Sequence, residues 1–191
     1  MTIGKAALEG IRVIDMSRVL AGPVGGQILG DLGADVIKVE RPGVGDDGRG
    51  YGLAEVRGKD GMSLHQGGFF AAANRNKRSI TLNHSKPEGQ EILRKLVESA
   101  DVLIENYKVG DLKRFGLDYE SLKAINPGLI YCSVTGFGQT GPMAARPGYD
   151  GLFQATGGMM AVTGIPDGQP GAGPLKAGPS LVDFITGHNT A

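Results

Sequence analysis

The chain has 191 residues, enough for one substantial domain with its own core, and its 20 basic residues are cancelled by 20 acidic ones. That balance gives no support to a nucleic-acid or membrane-surface role, and no stretch reads as a signal peptide, a transit peptide or a bilayer-spanning helix. The single cysteine, Cys132, excludes an internal disulfide framework and suits a reducing, cytoplasmic setting.

In chain order, "IRVIDMS" (11–17) reads as a buried strand, "RVLAGP" as a loop, and "VGGQILGDLG" (24–33) as a helix with Pro23 near its first turn. "ADVIKVE" (34–40) is a second strand. Pro42 to Gly68 is rich in glycine and charge, lacks periodicity and reads as a long loop of the lid or binding type. "RSITLN" (78–83) is a third strand. "SKPEGQEILRKLVESA" (85–100) is a helix, with Ser85 and Glu88 in capping-box spacing and Ile92, Leu93, Leu96 and Val97 on one face. "DVLIENY" (101–107) and "LIYCSVTGFG" (129–138) are further strands, separated by short helical pieces. "GYDGLFQATGGMMAVTG" (148–164) reads as a helix weakened by its glycines. Strands alternating with helices predict an α/β fold: a doubly wound, mostly parallel, Rossmann-like sheet with helices on both faces. No repeat or linker divides residues 1–191, so a single domain is expected. The 33 glycines, well over twice the usual fraction, suit tight βα turns and close backbone approach to a ligand.

Several motifs compete for the chemistry. "GVGDDG" (43–48) formally matches G-x-G-x-x-G, but that pattern needs a strand running straight into a helix. Arg41 and Pro42 intervene here, so a glycine-rich loop is the better reading. His65, His84 and His188 show no metal-ligand spacing with Cys132, which sits inside a strand pattern as a small core residue. His188 lies about 140° around a helix from Asp183, so the two do not pair. The "SRVLAGP" loop, at a strand's carboxyl end and before a helix, is either an ordinary βα turn or a ligand-facing loop whose N–H groups receive an anion. Arg41, Lys86, Lys108 and Arg114 recur after successive strands; each reads as a solvated cation, and the set as a polyanion site. Asp183 in "PSLVDF" reads first as a helix N-terminal acid, favourable with the helix dipole.

Five stretches, running in order from about Leu8 to Gly187, carry a resemblance: "LEGIRVIDMSRVLAGPVGGQILGDLGADVIKVERPGVGDD", "NRNKRSITLN", "DVLIENYKVGDLKRFGLDYESLKAINPGLIYCSVTGFGQTGP", "GYDGLFQATGGMMAVTG" and "SLVDFITG". Together they resemble the N-terminal half of the family III (CaiB/BaiF) CoA-transferases, the group with formyl-CoA, carnitine and dicarboxylate CoA-transferases. The resemblance implies that Asp183 is the catalytic carboxylate, attacking an acyl-CoA thioester and passing through mixed anhydrides and an aspartyl-CoA thioester. It places Val19, Leu20 and Ala21 beside the thioester and pantetheine, and Arg41 and Arg114 at the phosphates. It sets Leu82, Asn83, His84, Ser85 and Lys86 near the adenine and ribose phosphate. Asn106, Tyr107 and Lys108 fall at a further nucleotide contact, and Tyr149 and Asp150 near the pantetheine.

Coenzyme A and a carboxylic acid are then substrates and partners, with no permanent cofactor, no metal, no nucleic acid and no membrane. Leu20 stands where some formyl-CoA transferases carry glutamine, which speaks against formyl or oxalate specificity. Tyr149 stands where the related α-methylacyl-CoA racemases carry a histidine base; with an ordinary pKa near 10 it is a poor base, which favours transferase over racemase. Family members are about twice this length and form interlocked homodimers. The expectation is therefore a piece lacking the second domain and the returning segment, either active with its missing half or a non-catalytic CoA-binding fragment.

Overall fold

The computed structural model describes residues 5–52 and 55–191. Strand β1 (Arg12–Asp15) leads into helix α1 (Ala21–Asp31) and strand β2 (Asp35–Glu40). A short antiparallel hairpin, β3 (Glu55–Arg57) and β4 (Ser63–Gly67), precedes helix α2 (Gly68–Asn74) and strand β5 (Lys77–Thr81). Then come α3 (Pro87–Val97), β6 (Val102–Glu105), α4 (Tyr119–Lys123), β7 (Ile130–Ser133), α5 (Asp150–Thr156), α6 (Met159–Thr163) and α7 (Leu181–Thr190).

Five strands form one parallel sheet in the order β5-β2-β1-β6-β7, with Val13 level with Val36 on one side and Val102 on the other. Side chains alternate across the sheet, so successive apolar residues serve opposite cores. Ile14, Ile37 and Leu103 pack with Leu93 and Val97 of α3 and Leu122 of α4. Val13, Val36 and Ile104 pack with Leu29 of α1. Helices therefore cover both faces, as the alternating pattern predicts.

Three expectations need correction. Pro42–Gly68 is not a structureless loop: it carries a 3-10 turn at Asp47–Gly50 and the β3–β4 hairpin, strands too short to show a period, and α2 follows where no element was read. Ser85 and Glu88 form no capping box. Lys86 occupies the cap position and Pro87 opens α3, while the Ser85 N–H and hydroxyl turn back to Asn83 Oδ1 at 3.1 and 2.7 Å. The helix read over 148–164 breaks at Gly157–Gly158, where Gly158 is left-handed, giving α5 and α6. The side chain of His65 lies outside the described residues.

Helix α7 is laid against α1 by two glycines. A Cβ on Gly25 would stand 2.5 Å from Thr190 Cγ2, and one on Gly187 would stand 2.6 Å from Val24 Cβ. The absent side chains let the two helices meet at backbone distance, which brings Asp183 to the carboxyl edge of the sheet.

Candidate functional site

Strand order reverses between β1 and β6, the switch point where open parallel sheets bind ligands beyond their strand ends. Asn106, just past β6, bridges this junction: it accepts from the Arg18 N–H at 2.9 Å and donates to the Arg18 carbonyl at 2.8 Å. Directly after, Val19 has φ +70°, a left-handed conformation that costs a β-branched residue about 1–3 kcal/mol. It persists because its N–H donates to the buried Asp46 carboxylate at 3.0 Å.

Here the chain lines a half-open cavity of about 480 Å³. One wall is Val19, Leu20 and Ala21 with the head of α1, which has no side-chain cap. Asn106, Tyr107 and Lys108 form a second, the Ala144–Tyr149 segment a third, and Asp183 with Thr186 of α7 the fourth. The structure thus gathers eight of the sequence-predicted residues around one space: Val19, Leu20, Ala21, Asn106, Tyr107, Lys108, Tyr149 and Asp183.

Asp183 lies in the first turn of α7 and is half-buried. Burial, and then the nearby Asp150 carboxylate, push its pKa from 3.8 up to about 6. Although it is the N-terminal acid of its helix, it does not cap it. That role falls to Asp150, 33 residues away, whose Oδ1 accepts from the Val182 N–H at 2.8 Å and the Asp183 N–H at 3.3 Å. Asp150 is itself buried, and its Oδ2 receives the Gln154 amide at 2.6 Å. The charge complementing the helix dipole therefore belongs to Asp150, leaving Asp183 as a partly desolvated carboxylate beside a like charge.

The remaining predicted residues lie outside the cavity wall. His84 meets the Tyr107 ring edge-on at 5.1 Å and Phe115 at 5.6 Å. Burial, with Arg18 and Arg41 nearby, lowers its pKa and keeps it neutral. The Arg18 guanidinium sits 5.0 Å from the Tyr107 centroid and 3.2 Å from Asp47, which Arg41 also engages at 2.5 Å. At the other end Arg114 lies 5.4 Å from the Phe115 ring and 3.0 Å from Asp111. Arg114, Phe115, His84, Tyr107, Arg18, Asp47 and Arg41 are thus linked by successive side-chain contacts, with Tyr107, Arg18 and Asp47 on the cavity wall and an arginine at each end. Asn83, Ser85 and Lys86 are exposed near His84, whereas Leu82 is a buried core residue. Cys132 is half-buried in β7, where burial and Glu105 raise its thiol pKa, so it is no thiolate nucleophile.

Sequence reasoning did not single out Arg18, Asp46 or Arg146, though Arg18 and Arg146 line the cavity and Asp46 holds its wall. One signal for Asp46 was available. Lys38 interrupts an apolar strand, and a lysine inside a central strand requires a carboxylate partner.

The pattern of CoA-transferase family III matches residues 8–191. The chain is 54% identical over 183 residues to a succinate–glutarate CoA-transferase from Agrobacterium fabrum, covering 96% of this chain and 44% of that one. It is 45% identical to the human succinyl-CoA:glutarate CoA-transferase, over 94% of this chain and 39% of the other. A CAIB/BAIF family protein from Brucella suis superposes with a TM-score of 0.90 at 51% identity, covering 98% of this chain and 47% of that structure. The chain thus spans less than half the length of these relatives. With a specific sequence pattern and a close structural match extending over nearly all its residues, the chain belongs to CoA-transferase family III.

Proposed function

We propose that this chain carries the CoA-binding and nucleophile-bearing part of an enzyme that moves CoA from a dicarboxylic acyl-CoA to a free dicarboxylate. The observation that carries the reading is Asp183, a carboxylate with its pKa raised to about 6, on the wall of a cavity at the sheet's switch point. At neutral pH such a group is mostly ionised yet partly stripped of water, so it is more nucleophilic than a solvated aspartate.

In this reading an Asp183 oxygen attacks the thioester carbonyl, the C–S bond breaks, and the CoA thiolate leaves a mixed anhydride. The thiolate then attacks the aspartyl carbonyl, releasing the donor acid and leaving an aspartyl-CoA thioester. The acceptor carboxylate attacks that carbonyl and frees the thiolate again. Thiolate attack on the acceptor's carbonyl then yields the new acyl-CoA and restores Asp183, with no net proton change. Each tetrahedral oxyanion needs a donor, and the uncapped N–H groups at the head of α1, by Leu20 and Ala21, fit that need. The linked side chains from Tyr107 past His84, with Arg41 and Arg114 at the two ends of the series, suit an aromatic base flanked by phosphates. The dicarboxylate assignment comes from the relatives named for succinate and glutarate.

The test uses the full-length protein with succinyl-CoA and glutarate. Hydroxylamine added during turnover should convert Asp183 to a hydroxamate, located by peptide mass, and Asp183→Ala should abolish transfer. Transfer that survives in Asp183→Ala, or α-proton exchange with deuterated solvent without transfer, would sink the reading.

A further inference from the structure

We propose that Asp46, braced by Lys38, is a positioning residue for the cavity wall: it holds Val19 left-handed and so sets where Leu20 and Ala21 stand. The inference rests on the CoA-transferase reading above.

Asp46 and Lys38 are both buried, with Lys38 Nζ 2.7 Å from Asp46 Oδ2. The other oxygen, Oδ1, accepts from the Val19 N–H at 3.0 Å and the Gly48 N–H at 2.7 Å. Lys38 Nζ also donates to the Ser17 carbonyl at 2.9 Å. The Ser17 N–H goes to Asp15 Oδ1 at 2.9 Å, and both Arg18 backbone groups go to Asn106. Five successive backbone groups, from the Ser17 N–H to the Val19 N–H, are therefore held by side chains drawn from β1, β2, the Asp46 loop and the end of β6. Buried backbone groups are normally paired by secondary structure, so a turn held this way has its shape imposed by its surroundings.

The bracket extends one layer further back. The Asp46 N–H donates to Glu40 Oε2 at 3.0 Å, and Glu40 is gripped by Arg49 at 2.6 Å and Ser79 at 2.5 Å. A buried ion pair is weak evidence for stability, because apolar residues of similar volume serve a core as well. What apolar residues lack is a directional acceptor at a fixed point. This one meets one of only two non-glycine residues with positive φ among the described residues, at the mouth of α1. Asp46 does not line the cavity, so its effect on substrate passes through Val19.

The experiment compares Asp46→Ala in the wild-type and Val19→Gly backgrounds of the full-length protein, reading amide exchange at Val19 together with kcat and KM for succinyl-CoA. Asp46→Ala should expose the Val19 amide to exchange and lower kcat about tenfold or more, with KM changed by less than about threefold. Because glycine adopts φ +70° without restraint, the kcat loss should shrink at least about threefold in the Val19→Gly background. Asp46→Asn, which keeps an acceptor for Val19, should retain more activity than Asp46→Ala. An unchanged kcat, or an equal loss in both backgrounds, would overturn the proposal. If Asp46→Ala alone does not fold, Lys38→Met/Asp46→Ala removes both charges and supports the same comparison. A wild-type protein that transfers no CoA would count against the functional reading, while the Val19 exchange would still decide the positioning claim.

Discussion

Asp183→Asn should stabilise the protein while removing its chemistry. The wild-type carboxyl is raised from 3.8 to about 6 by burial and by Asp150, so the folded chain holds a proton that the unfolded chain releases between those pH values. Wild-type stability therefore falls as pH rises through that window and is flat above it. A shift of about two units corresponds to about 3 kcal/mol, and the half-exposure of the group screens this to about 1.5 kcal/mol. Asparagine has the same shape and no proton to lose. The variant should thus gain about 1.5 kcal/mol above pH 7, or about 3–6 °C in Tm for a chain of this size, and nothing near pH 3.5. Thermal unfolding of both proteins across pH checks this. No gain at neutral pH, or the same gain at pH 3.5, would refute the claim that Asp183 is a desolvated carboxylate facing a like charge.

The same shift predicts that kcat/KM for transfer declines as pH falls through about 6, read from a pH–rate profile, because protonated Asp183 is no nucleophile. Gly187→Ala would force a Cβ to within 2.6 Å of Val24 Cβ and 3.0 Å of the Ala21 carbonyl, so it should cost about 1–3 kcal/mol in urea unfolding and lower transfer by shifting α7 from α1. Lys77→Met should cost about 3 kcal/mol by the same measurement, since it removes the ion-pair partner 2.7 Å from the fully buried Asp15 and leaves only the more distant Lys38 charge to compensate it. Asn106→Ala should weaken CoA binding in calorimetry and cost about 1–3 kcal/mol of stability, because it frees both Arg18 backbone groups at the β1–β6 junction.

By itself the sequence determined the sheet and marked the β1 loop that borders the cavity. Runs such as "VID", "VIKV" and "VLIE" are apolar on both faces, which only a doubly covered parallel strand accommodates, and their spacing leaves room for the crossover helices. The loop after β1 was legible as a ligand-facing candidate because ligands collect at strand carboxyl ends whatever the tertiary detail, whereas of the basic residues Arg41, Lys86, Lys108 and Arg114 after successive strands only Lys108 lines the cavity. Tertiary structure alone decided which acid caps α7. Asp183 is the local candidate by sequence, but Asp150, 33 residues away, reaches the helix N–H groups first, and this leaves Asp183 partly desolvated. It also decided that "GVGDDG" meets the β1 loop: Asp46 accepts from Val19, and Lys38 of β2 joins Asp46 to the Ser17 carbonyl. Periodicity and propensity act over a few residues, whereas a buried charge is satisfied by whichever partner the fold brings near, at any distance along the chain.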